Sequence, residues 1–264
     1  MPFAVSGSTR IYWKLEGKES APGLVLLNSI GTDMGLWDAA LPALRQSFRL
    51  LRIDTRGHGA SDAPAGDYTL AQLASDVFAV MDHAGLAEAA IAGVSLGGMI
   101  AMEMALMQPG RVSCLALICT SATMDPAAWN DRITKVRTEG MASIAEMAMG
   151  RFLAPDFLAA NPELAGTLQC QLTIMSAVGY AGCGAAIRDM TLADRLGEIT
   201  CPALVVTGAK DVSTPFEGHG EHLLRAIPRA WHVVVPGAHL APIDAPQELA
   251  AVLLSSIGAG AAQG

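Results

Sequence analysis

The chain lacks the features that mark several large classes of protein. Charged residues make up only 16% of it, no basic cluster is present, and the formal net charge is −8. An acidic chain without a basic patch is suited neither to nucleic acid nor to an anionic membrane surface. No run approaches the roughly 18 uninterrupted apolar residues that a membrane-spanning helix needs. Residues 1–10 contain no apolar signal core. Cysteine is scarce and unpaired by number: there are five, with no C-x-x-C. All five read as reduced thiols of a cytoplasmic protein. Apolar residues are abundant at 52%, so the 264-residue chain is compact and globular. Nothing in the sequence reports an oligomeric state.

The most informative stretch is Ala92-Gly93-Val94-Ser95-Leu96-Gly97-Gly98. Before it, Ala89 to Val94 is short, apolar and strand-like. After it, Leu96 to Gln108 is a proline-free helical run stopped by Pro109-Gly110. A G-x-S-x-G between a strand and a helix predicts a sharp turn that exposes the serine hydroxyl. Glycines at 93 and 97 avoid a collision across the turn. Gly98 lets the helix pack close to the sheet. The helix start behind Ser95 offers unpaired N–H groups and a positive dipole end, suited to a developing oxyanion.

Around this turn, eight strand-like runs alternate with helices. Residues 3–16 read as a hairpin around Ser6-Gly7-Ser8. Gly23 to Leu27, Leu50 to Ile53, Val112 to Cys119, Ala203 to Val206 and Trp231 to Val235 read as further strands, several buried on both faces. Thr69 to Ala84 is a helix with a capping-box pattern at Thr69 and Gln72. Pro246 to Ile257 is a closing amphipathic helix, followed by a frayed tail over 258–264. The alternation predicts an α/β protein with a mostly parallel sheet covered on both faces. Residues 124–196 break the pattern, with helix starts at Asp125-Pro126, Asn161-Pro162 and Thr191 but no buried strand. They read as a helical cap inserted into a core of residues 1–123 and 197–264. Met124, Met141, Met147, Met149, Met175 and Met190 fall in this cap, either as an adaptable lining or as its own core.

A serine hydroxyl needs a base, and the base needs a group that fixes its tautomer. On a turn of this kind the chain order is Ser, acid, His. His239 follows Pro236-Gly237-Ala238 just past the last strand and is the candidate base. His232 lies inside that strand. His219 and His222, with Glu217 and Glu221, read as solvent-facing, so no metal site is predicted. Asp211 stands at the end of the preceding strand and is the favoured acid. Asp244 is its rival, with a competing role near the start of the closing helix. The oxyanion donors are assigned to the N–H groups of Leu96 and of Ile30, the latter in the loop Asn28-Ser29-Ile30-Gly31. His58, between two glycines, reads as a turn-shaping residue.

Taken together, these residues resemble the α/β-hydrolase superfamily over essentially the whole chain. A narrower resemblance is to 3-oxoadipate enol-lactonases. It rests on Asn28-Ser29-Ile30-Gly31-Thr32-Asp33, on Asp54-Thr55-Arg56-Gly57-His58-Gly59-Ala60-Ser61, and on Trp129-Asn130-x-Arg132-Ile133. Glu139-Gly140-Met141 and the run from Tyr180 to Met190 add to it. Val94 and Ile53 depart from the Leu and Tyr usual there, as does Leu-Ala-Pro-Ile-Asp after His239. The resemblance implies an α/β-hydrolase fold with an eight-stranded sheet and a triad of Ser95, Asp211 and His239. It implies hydrolysis of the enol-lactone of 3-oxoadipate in the β-ketoadipate pathway of aromatic catabolism, without a cofactor.

Three rival readings remain: a general carboxylesterase, a cofactor-free perhydrolase or haloperoxidase, and a ligand-binding receptor on the same fold. A dehalogenase or epoxide hydrolase would carry Asp in place of Ser95. The enol-lactone bears a free carboxylate, so its pocket should offer a cation. On the helix after Asp125, Trp129, Ile133 and Val136 share one face. Arg132 borders that face, about 60° from Trp129 around the axis. Trp129 and Arg132 are therefore the candidate substrate-binding residues. The alternative is that Arg132 pairs with a surface carboxylate and Arg188 takes its place.

Overall fold

The computed structural model describes residues 3–260. Eight strands form one sheet: β1 Phe3–Ser6, β2 Thr9–Glu16, β3 Gly23–Leu27, β4 Arg49–Ile53, β5 Ala89–Val94, β6 Val112–Ile118, β7 Ala203–Gly208 and β8 Ala230–Val235. Their order across the sheet is β1-β2-β4-β3-β5-β6-β7-β8. β1 and β2 run antiparallel at one edge; every pairing from β4 to β8 is parallel. β5 is buried at all six positions and β7 likewise. That double-sided burial explains why these strands appear as unbroken apolar runs rather than as alternating ones.

The helices are α1 Leu41–Leu44, α2 Leu70–His83, α3 Leu96–Met107, α4 Pro126–Glu139, α5 Ala145–Phe152, α6 Pro155–Ala160, α7 Pro162–Ile174, α8 Ala177–Arg188, α9 Glu221–Ala226, α10 Ala241–Asp244 and α11 Pro246–Gly260. α2 begins with the reciprocal bonds of a capping box between Thr69 and Gln72, a motif in which the cap residue alone contributes about 1 kcal/mol. α3 is apolar and buried on nearly all sides, as befits a helix held against the sheet by a second helix. Each fully buried Leu of this core contributes roughly 1.5–3 kcal/mol through burial. Among the described residues, no single helix is long and apolar enough to cross a membrane.

Between β6 and β7 the described chain is helical only, from α4 through α8 and a 3-10 turn at Ala193–Glu198. Asp125 caps α4, its Oδ1 accepting the Ala127 N–H at 2.9 Å, with Pro126 in the first turn. The start expected at Thr191 yields only that 3-10 turn, not an α-helix. The tail expected to fray from Gly258 instead continues α11 to Gly260, and residues 261–264 lie outside the described part.

The chain runs from β3 outward to β4, then crosses back to β5 and continues to β8 on the other side. The strand order therefore reverses between β3 and β5. In an open parallel sheet this reversal leaves a crevice at the carboxyl ends, where ligands bind. Ile30 follows β3 and Ser95 follows β5, so both stand at that crevice.

Candidate active site

Ser95 links β5 to α3 in a backbone conformation that side-chain residues rarely adopt, with φ 54° and ψ −113°. The surroundings enforce it. A methyl group on Gly93 would overlap the Gly97 backbone, and one on Gly97 would lie 2.6 Å from the Leu27 carbonyl oxygen. The Ser95 carbonyl accepts the Thr120 hydroxyl at 2.6 Å and the Gly98 N–H at 2.9 Å. Ser95 occupies the N-cap of α3, yet its hydroxyl caps nothing and makes no hydrogen bond among the described residues. It is left available for chemistry. Nucleophile–base contacts commonly tighten only when substrate is bound.

Asp211 and His239 are brought together by the ends of β7 and β8. His239 Nδ1 lies 3.0 Å from Asp211 Oδ2 and 3.1 Å from Oδ1. Asp211 also accepts the N–H groups of Ser213 at 2.7 Å and Thr214 at 3.1 Å, and the Thr214 hydroxyl at 2.9 Å. Burial alone would raise this carboxyl, but His239 and the two N–H groups hold it at about 2. An ionised Asp211 at Nδ1 fixes the proton there and leaves Nε2 free to accept another. Phe152, at the end of α5, lies parallel to the His239 ring with centroids 6.4 Å apart, and its carbonyl accepts the Leu240 N–H at 3.0 Å. The helical insertion thus covers the imidazole.

Asp244 stands just ahead of Pro246, where the closing helix α11 begins. It ends α10, and its Oδ2 accepts the Ala238 N–H at 2.6 Å, bracing the loop that carries His239. His219 does not simply face solvent. Its Nδ1 lies 2.8 Å from the buried Ser121 hydroxyl, tying the loop after β6 to the loop after β7.

Leu96 is the first residue of α3, so its N–H has no acceptor within the helix. In the loop after β3, Thr32 donates to the Ser29 carbonyl at 3.2 Å and Gly31 donates to His58 Nε2 at 3.0 Å. The Ile30 N–H between them has no partner among the described residues. Two unclaimed donors thus border the crevice beside Ser95, the arrangement an oxyanion requires.

Trp129 is buried against α8, where a methyl on Gly184 would touch its ring at 3.5 Å. The Arg132 guanidinium stacks over Trp129, 4.4 Å from the ring centroid, and reaches Met147 Sδ at 3.6 Å. It also neighbours the buried Tyr180 phenol, which burial raises and Arg132 pulls back down. Tyr180 in turn lies 3.5 Å from where a Gly31 side chain would begin. Arg132 is therefore one aromatic ring away from the loop that carries Ile30. Among the described residues no carboxylate pairs with it. Arg188 binds both Asp67, at 2.9 Å, and Asp189, at 2.6 Å, and Arg137 pairs with Asp67.

A cavity of about 640 Å³ opens beside the crevice, between α7 and the loops after β3, β4 and β8. Gly31, Phe152 and Leu240 connect it to the residues above; Leu36, Leu164, Leu168, Ile174, Met175 and Ile243 give it an apolar wall, and Asp33 and Asp38 supply negative charge. Trp129 and Arg132 lie outside this wall. Of the six methionines read as either a pocket lining or the insertion's own core, Met175 lines the cavity, whereas Met141 and Met149 are buried within the insertion.

A family model described as the alpha/beta hydrolase fold matches residues 22–246. The chain belongs to the alpha/beta hydrolase family. Among relatives of this hydrolase is the 3-oxoadipate enol-lactonase 2 of Acinetobacter baylyi, 33% identical over 232 residues, covering 88% of this chain and 86% of that protein. The crystal structure of the enol-lactonase from Burkholderia xenovorans superposes with a TM-score of 0.92 at 32% identity, over 99% of this chain and 100% of that one. A hydrolase from Pseudomonas aeruginosa gives 0.93 at 38% identity over 97% of both chains. Thr120, Thr214, Phe152 and Tyr180 were not apparent as site residues from sequence. Only Thr214 had a local signal, an Asp-x-Ser-Thr turn in which an Asp side chain accepts the N–H groups that follow it.

Proposed function

We propose that this ester-acting hydrolase opens 3-oxoadipate enol-lactone to 3-oxoadipate through an acyl-enzyme on Ser95. His239 takes the Ser95 proton at Nε2 while Asp211 holds Nδ1–H, and the serine oxygen attacks the lactone carbonyl. The N–H groups of Leu96 and Ile30 carry the resulting oxyanion. Collapse breaks the ring C–O bond, and the departing oxygen takes the proton held on His239 Nε2, which returns the ring to its neutral form. The leaving enolate oxygen is a better leaving group than an alkoxide and stays tethered to the acyl group. His239 then removes a proton from water, which attacks the acyl-enzyme, and Ser95 recovers its proton as the acid departs. The released enol converts to the ketone. No step calls on a metal or an organic cofactor.

We assign the chemistry to a core of residues 1–123 and 197–264, and substrate selection to a cap of residues 124–196. Arg132 is the proposed partner of the substrate carboxylate, since a guanidinium matches both carboxylate oxygens. Its lack of a protein carboxylate and its place beside Tyr180 support that role. The observation that carries the reading is the Asp211–His239 pair at the strand ends beside an elbow serine. The enol-lactonase relatives supply the substrate. The five unpaired cysteines suit a reducing cytoplasm, where the β-ketoadipate pathway of aromatic catabolism would place the reaction.

The apolar cavity beside His239 favours a second reading, hydrolysis of neutral esters with a sizeable apolar group, because its walls carry no cation. A turnover panel separates the two. It compares the enol-lactone, p-nitrophenyl acetate and peroxide-dependent halogenation. The enol-lactone should show the highest kcat/KM. A higher value for the aryl ester would make the protein a general esterase, and halogenation above both would make it a perhydrolase.

A further inference from the structure

His58 is almost fully buried and takes no part in the chemistry described above. Its two ring nitrogens face groups of opposite kind. Nε2 lies 3.0 Å from the Gly31 N–H, which only donates, and Nδ1 lies 3.2 Å from the Arg56 carbonyl, which only accepts. One protonation state serves both: the neutral ring with its proton on Nδ1. The turn that carries His58 is fixed on several sides. Arg56 makes a two-pronged pair with the buried Asp76 at 2.6 and 2.7 Å. Asp54 accepts the Ala60 N–H and the Met34 N–H, each at 2.8 Å. α8 presses on the same turn, since a methyl group on Gly57 would overlap Gly179, and Cys183 Sγ lies 3.4 Å from the Arg56 carbonyl.

We propose that His58 is a positioning residue for the oxyanion site: its Nε2 claims the Gly31 N–H and thereby holds the neighbouring Ile30 N–H toward the crevice. The bond at Gly31 fixes the peptide plane between residues 30 and 31. Gly31 has φ +85°, so without that bond the loop is free to rotate at a residue with no side chain to restrain it. The loop would then be free to aim the Gly31 N–H, or neither donor, at the substrate. This inference rests on the reading of Ile30 as an oxyanion donor.

The test compares His58→Gln with His58→Asn. Gln carries an amide to the Nε2 position and can accept from Gly31. Asn reaches only the Nδ1 position, near Arg56. Turnover of p-nitrophenyl acetate and binding of a boronic acid that forms a tetrahedral anion on the serine are measured for both. His58→Asn should lose kcat by up to about 10²-fold, the range for one oxyanion donor, with KM nearly unchanged and boronate affinity falling in step. His58→Gln should recover most of both losses. Equal behaviour of the two variants, or a kcat loss with boronate binding intact, overturns the proposal. Because the readout uses the aryl ester, failure of the lactone assignment leaves it untouched. Failure of the serine mechanism shows separately, as turnover surviving Ser95→Ala.

Discussion

The carboxyl edge of the sheet and the helical insertion use polar groups in opposite ways. At the sheet edge many of them are buried and bonded to one another. Asp211 receives Ser213, Thr214 and His239; Asp54 receives Met34 and Ala60; His58 joins Gly31 to Arg56. Where the insertion meets the core they lie at the surface and form pairs there, such as Lys210–Asp156 and the cluster of Arg137, Arg188, Asp67 and Asp189. Exposed pairs contribute little, about 0–1 kcal/mol each. The buried network is rigid because breaking any member leaves a desolvated partner without a bond. The difference separates two tasks. Under the proposed function, the sheet edge would hold the reacting groups in one geometry, and the insertion would shape what reaches them.

If that division is right, variants at the sheet edge damage every substrate alike. Ser95→Ala should lower turnover of lactone and ester by on the order of 10⁶-fold while circular dichroism and thermal unfolding stay unchanged. Retention of a tenth of the activity in a clean preparation would remove Ser95 as the nucleophile. Asp211→Asn should cost roughly 10⁴-fold, because the imidazole then favours the wrong tautomer. Asp244→Asn should be mild, since it braces a backbone N–H and does not touch the ring. A reversal of these two effects would make Asp244 the acid.

The smallest effect concerns stability. His58 is held neutral by burial, down to about pH 4 from an ordinary 6.5. Between those values the unfolded chain takes up a proton that the folded chain refuses, so this site's contribution to stability declines as pH falls through the window and is complete above it. The slope is about 1.4 kcal/mol per pH unit. Urea unfolding at pH 7 and pH 4.5 should show His58→Gln losing about 2–3 kcal/mol less than the parent across that step. Identical losses would contradict a buried neutral His58.

The sheet was legible in the sequence because its parallel strands are buried on both faces and appear as apolar runs bounded by glycine and proline. The elbow was legible because a strained turn demands glycine at fixed spacing, and His239 and Asp211 because their candidates stand just past strand ends. Phe152 over His239, Tyr180 beside Gly31 and the His58–Gly31 bond were not. Each depends on how the insertion or a distant loop packs, and no local pattern encodes that. The same reason accounts for the methionines, which divide between the cavity wall, the insertion's interior and its surface, and for His219, whose partner Ser121 lies on another strand end.

The most direct test of the division is the ratio of kcat/KM for the enol-lactone to that for p-nitrophenyl acetate, measured in the parent, in Arg132→Ala and in Asp211→Asn. A charge-assisted bond to the lactone carboxylate contributes about 1.5–3 kcal/mol, so Arg132→Ala should lower the ratio by roughly 10- to 100-fold through KM. Asp211→Asn should depress both activities and leave the ratio where it was. A ratio unchanged in Arg132→Ala, or one that falls in Asp211→Asn, would contradict the assignment of chemistry to the sheet edge and of selectivity to the insertion.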